Sequence, residues 1–71
     1  MPDYWYYYFE TKRQRNDFVE DVESDGHRVI HVANEVYMRN GKCGFLAIVS
    51  TNVDCRRNVL FVEVNGSPWD Y

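Results

Sequence analysis

The chain has 71 residues, so one small domain is expected, and a domain of this size buries only about 60% of the surface its unfolded chain exposes. Its 45% apolar and 17% aromatic content exclude a disordered tail, which is poor in aromatic and β-branched residues. A net charge of −3 and a pI near 5.2 argue against a general nucleic-acid backbone binder, which needs excess Lys and Arg, and favour a basic protein partner.

Residues 4–9 form an unbroken aromatic run, Tyr-Trp-Tyr-Tyr-Tyr-Phe, whose side chains suit a pleated, half-buried surface and predict a first strand. Alternation turns Tyr4, Tyr6 and Tyr8 one way and Trp5, Tyr7 and Phe9 the other. The simplest reading buries one set and lets the other reach water through its hydroxyls; the sharper one makes Tyr4, Tyr6 and Tyr8 aromatic anchors for a base or a peptide.

From Thr11 the pattern predicts a helix over residues 12–24, capped by Thr11 and stopped by Gly26. Phe18, Val19, Val22 and the stem of Arg15 fall on one narrow stripe, with Asp17, Glu20 and Asp21 on the opposite side. The charge order opposes the helix dipole: Lys12, Arg13 and Arg15 come first, and Glu20, Asp21, Glu23 and Asp25 last. Asp17 and Asp21 also repel at a spacing of four. Local stability does not explain that order; the acidic side reads either as an ordinary solvated face or as a patch presenting Asp17, Glu20 and Asp21 to a basic partner.

Residues 28–39, 43–51 and 58–64 read as three strands of an antiparallel meander. Asn40-Gly41 predicts a two-residue type I′ hairpin, because both central positions then need φ > 0. That turn sets Met38 opposite Cys43, Val36 opposite Phe45, Asn34 opposite Ala47, Val32 opposite Val49 and Ile30 opposite Thr51. A four-residue loop, 54–57, would bring Leu60, Val62 and Val64 beside Val49, Ala47 and Phe45. The helix is then expected on the face of Ile30, Val32, Val36, Phe45, Val49 and Leu60. Val29, Tyr37, Leu46, Ile48 and Phe61 fall on the other face, to be shielded by the aromatic tail, residues 67–71, or by another protein. Trp69 in that tail is a further candidate anchor, and Tyr37, Leu46, Ile48 and Phe61 form a candidate self-association face for a homodimer.

The fold class is thus α+β, β-α-β-β-β, with one helix on one sheet face. Cys43 and Cys55 are separated by a strand of about 8 residues at ~3.3 Å each, too far for a disulfide, so two thiols and a reducing, cytoplasmic compartment are expected. No apolar run approaches the ~20 residues of a membrane helix, and no signal pattern opens the chain. His27, His31, Cys43 and Cys55 lack the close pairing of a zinc site, so no metal is expected. No nucleophile stands in a recognisable frame and no glycine-rich phosphate loop occurs, which predicts a non-enzyme without cofactors.

Two functions from different classes, and a third that assembly alone would satisfy, fit these features. The first is a non-catalytic protein-binding module acting by occupancy through its acidic helix side. At the level of class, such a compact acidic domain without catalytic motifs resembles the small phage-encoded inhibitors of host defence, including anti-CRISPR proteins. The likeness lies in size and composition, and it implies masking of a nucleic-acid-binding surface. The second is a single-stranded nucleic-acid binder that stacks bases on Tyr4, Tyr6 and Tyr8 beside Lys12, Arg13 and Arg15, against which the net charge stands. The third is a structural homo-oligomer subunit.

Overall fold

A computed structural model describes residues 4–38, 41–50, 53 and 57–64. The chain runs β1 (Trp5–Phe9), α1 (Lys12–Ser24), β2 (Val29–Tyr37), β3 (Cys43–Val49) and β4 (Phe61–Val64). The four strands form one antiparallel sheet of order β2-β3-β1-β4 with α1 packed on it, a small α+β domain. The expected aromatic tail, Trp69 and Cys55 lie outside the described residues.

The helix ends follow from local chemistry. Thr11 is extended (φ −125, ψ 155) and its side chain accepts a hydrogen bond from Gln14 N–H at 3.2 Å. At the other end Gly26 adopts φ 87, its N–H donates to Glu23 O, and His27 N–H reaches back to Val22 O. That pair of bonds is a Schellman motif, which closes carbonyls the helix leaves open.

Strand order departs from the expected meander. β1 lies between β3 and β4, pairing Tyr7 with Ala47 on one side and with Val62 on the other. The physical reason is its composition: Tyr7, Tyr8 and Phe9 are all 0% exposed, and a strand apolar on both faces loses most water in the sheet centre. β4 consequently runs parallel to β3, so residues 50–60 make a crossover, and the expected four-residue loop is too short for it. Val53 and Val59 of this connection pack into the helix-side core, where Val53 N–H donates to the Tyr7 hydroxyl at 3.2 Å.

The β2–β3 register is also corrected. Tyr37 pairs with Cys43 and Val36 with Gly44, one residue away from a straight Asn40-Gly41 hairpin, and the ladder shifts again between Ala33 and Val36 and between Val29 and His31. Met38 N–H donates to Lys42 O and Gly41 N–H to Met38 O, with Gly41 in the left-handed region at φ 83, where glycine carries no Cβ penalty. Asn40 itself is outside the described residues.

Two apolar clusters sandwich the sheet. On the helix side Tyr7, Phe9, Ala47 and Val49 meet Phe18 and Val22; the Phe18 ring lies 4.7 Å from that of Tyr7 and 5.0 Å from that of Phe9. On the other side Tyr8, Leu46 and Met38 are buried beneath Tyr6, Ala33, Val36, Ile48 and Phe61, with Phe61 stacked on Tyr8 at 4.5 Å. Of the residues expected under the helix, Val49 is there and Phe45 lies beneath Arg15, but Val36 joins the opposite cluster and Ile30, Val32 and Leu60 are exposed. Val29, expected opposite the helix, packs on its side. The bulges reverse the faces of Val36 and Val29, since each unpaired residue reverses the face of those beyond it, whereas Val32, opposite Ala47, keeps the helix side and is exposed on edge strand β2.

Candidate functional site

The helix stripe that docks on the sheet leaves its flank over the crossover. Gln14, Asp17, Phe18 and Asp21 recur at helical spacing along that flank, with Glu20 beside them. Together with Arg57 and Asn58 they line a cleft of about 290 Å³. Asn58 turns the crossover at φ 65, a conformation Asn tolerates better than most residues, and so brings Arg57 to the rim. Asp17 and Glu20 are exposed, Asp21 is half-buried, and buried Phe18 contributes the apolar lining.

The lining carries three carboxylates and one guanidinium, a formal excess of two negative charges. Gln14 Oε1 is buried there without a hydrogen-bond partner among the described residues. The cleft can therefore accept a cation with several donors, such as a guanidinium or an ammonium, while Phe18 offers contact to its aliphatic stem. Exposed ion pairs are each worth roughly 0–1 kcal/mol, so such a site steers and orients a partner more than it holds one.

The three acidic residues singled out from the sequence thus stand around one cleft. Its remaining members, Gln14, Arg57 and Asn58, were not legible as site residues, because Arg57 reaches α1 only through the crossover. A second hollow of about 350 Å³, lined by Tyr4, Arg28, Val29, Ile30 and Ser50, lies at one end of the sheet.

Other sequence-derived candidates are dispersed. Tyr4 is exposed, Tyr6 half-buried, and Tyr8 fully buried under Phe61, so the three do not form an open stacking row. Lys12 and Arg13 are exposed, whereas Arg15 is 4% exposed and its guanidinium is held by Ala33 O, Asn34 Oδ1 and Asn16 Oδ1. Desolvation lowers the Arg15 pKa from its ordinary value.

The self-association set is split as well. Leu46 is 1% exposed, and Ile48 and Phe61 pack in its cluster, while Tyr37, 70% exposed, pairs with Cys43 and so projects to the helix side of the sheet. On the face opposite the helix, Tyr8 and Leu46 are buried beneath half-buried Tyr6, Val36, Ile48 and Phe61, and the tail expected to shield this face lies outside the described residues. The large apolar side chains left exposed include Ile30, Val32 and Tyr37 of edge strand β2. Cys43 is a free, exposed thiol. Among the described residues no group of three or more His, Cys, Asp or Glu could hold a metal ion, and no helix is long and apolar enough to cross a membrane.

No protein family, no curated protein and no solved structure matches this chain.

Proposed function

We propose that the chain is a non-catalytic protein-binding module that receives a basic side chain of its partner in the cleft of Asp17, Glu20 and Asp21. The observation that carries this reading is the gathering of those three carboxylates around one hollow that Phe18 also lines, on a helix whose charge order its own stability does not require. A protein surface evolved to hold nucleic acid supplies the complementary charge, so masking such a surface, as small phage-type inhibitors of host defence complexes do, is the occupancy proposed. Burial of Tyr8 and Arg15 argues against the alternative of base stacking on β1, since both would have to leave the core to reach a base.

Calorimetric titration with an octa-arginine peptide, at low and then at raised salt, tests the reading. The wild type should bind with an affinity that falls as salt rises, and Asp17→Lys/Glu20→Lys/Asp21→Lys should abolish binding. The variant Glu10→Lys/Glu23→Lys/Asp25→Lys makes the same change in net charge away from the cleft and should retain most of the affinity. Equal losses in both variants would reduce the effect to overall charge and refute the site. Preferential, salt-dependent binding of a labelled single-stranded oligonucleotide would favour the nucleic-acid alternative instead.

A further inference from the structure

A buried guanidinium needs an acceptor for each of its N–H groups, because an unpaired charged donor gives up its hydration without return. Arg15, 4% exposed, meets part of that need with neutral groups: Nε donates to Asn16 Oδ1 at 2.9 Å, and Nη1 donates to Ala33 O at 3.1 Å and to Asn34 Oδ1 at 2.7 Å. Nη2 has no acceptor among the described residues, yet it is not sealed from water. No carboxylate among them pairs with Arg15; Glu35, next to Asn34 in β2, is exposed and makes no ion pair with it.

These bonds also orient the two asparagines. An Asn amide accepts only through Oδ1, so Asn16 and Asn34 each turn their Nδ2 donors away from the nitrogen they serve. Both residues are exposed. The planar fork of the guanidinium sets Nη2 between Nε, bound to Asn16, and Nη1, bound to Asn34. Lys12, also exposed, lies one helical turn before Arg15 and Asn16, and no acidic residue stands in the first turn of α1. The acidic cleft opens elsewhere, over the crossover to β4, whereas Arg15 is tied to β2 at the other edge of the sheet. Donors and positive charge therefore gather around Nη2.

We propose that Arg15 Nη2, with the Nδ2 groups of Asn16 and Asn34 beside it and Lys12 one turn away, is a binding site for a carboxylate from outside the fold. One carboxylate oxygen accepts from Nη2, and the other accepts from an asparagine amide or from Lys12 Nζ. The slight exposure of Arg15 leaves an acceptor little room, which favours a planar carboxylate over a tetrahedral phosphate. An Asp or Glu side chain of a protein and a small free acid offer the same chemistry.

Titration of the isotope-labelled protein with sodium acetate at constant pH, followed by nuclear magnetic resonance, tests the site. The side-chain amides of Asn16 and Asn34 and the Arg15 Nε–H should shift saturably, and sodium chloride at matched ionic strength should not reproduce the shifts. Asn34→Asp keeps the acceptor, removes the donors and gives Arg15 an internal counter-ion; it should weaken acetate binding at least about tenfold, the worth of one hydrogen bond to a charged group. Lys12→Gln, at an exposed position, should weaken it less and leave the fold unchanged. An amidated tri-glutamate peptide separates the sources: tighter binding than acetate assigns the carboxylate to a protein, and equal or weaker binding assigns it to a small acid. Absence of saturation, shifts equalled by chloride, unchanged affinity in Asn34→Asp, or tighter binding of inorganic phosphate than of acetate would each overturn the carboxylate site.

Discussion

Gly44→Ala sets two opposed effects against each other at a single atom. A glycine inside a strand normally costs about 0.5–1 kcal/mol relative to alanine, because the unfolded chain loses more freedom on folding, so the substitution should stabilise an unconstrained site. At Gly44, however, an added Cβ would meet Met38 Sδ, lie 2.5 Å from Met38 Cε and lie 2.8 Å from the Phe9 carbonyl oxygen. The thioether can move, but the Phe9 carbonyl belongs to the backbone of β1 in the centre of the sheet. Overpacking of this kind costs roughly 1–3 kcal/mol, which outweighs the entropic gain and leaves a net loss of about 1–2 kcal/mol. Urea unfolding followed by fluorescence, with Met38→Ala and the double variant alongside, gives the coupling. Gly44→Ala should cost less in the Met38→Ala background without becoming favourable, since the Phe9 contact remains. Stabilisation in the wild-type background, or the same cost in both, would refute the close approach of Met38 and β1 to Gly44.

Phe18 is the aromatic residue through which α1 enters the core, so Phe18→Ala should cost about 3–5 kcal/mol and remove much of a total that, at ~0.05–0.15 kcal/mol per residue, amounts to about 4–11 kcal/mol; thermal unfolding by circular dichroism checks this, and a loss below about 1 kcal/mol would contradict the packing. Lys12 opens a helix with no acidic residue in its first turn. Lys12→Glu should therefore raise stability by about 0.3–1 kcal/mol at low ionic strength, the gain shrinking as salt is added, and an unchanged or lower midpoint at low salt would show that the dipole is not the operative term.

The parts of the fold that depend on neighbours in sequence were legible without coordinates. Thr11 and Gly26 bound the helix because caps involve groups a few residues apart, and the Arg15, Phe18, Val22 stripe follows from helical spacing alone. The opposite facing of Tyr8 and Phe9, of Leu46 and Ala47, and of Phe61 and Val62 follows in the same way from strand alternation. Asp17, Glu20 and Asp21 could be singled out because their placement conflicts with the helix dipole, a conflict visible in the residue order.

Strand adjacency is different, because every backbone presents the same donors and acceptors and local sequence does not say which strand completes which ladder. Here the choice fell to the burial of a strand apolar on both faces, which drew β1 between β3 and β4 and converted an expected tight loop into a crossover. The cleft depends on that crossover, since Arg57 and Asn58 face α1 only by virtue of it. The hairpin register was likewise not legible in the turn: Asn40-Gly41 favours a straight hairpin, but Tyr37 pairs with Cys43 and Met38 packs against Gly44. Caps and periodicity are short-range properties of the chain, whereas strand order, register and the composition of the cleft arise from contacts between residues that only folding brings together.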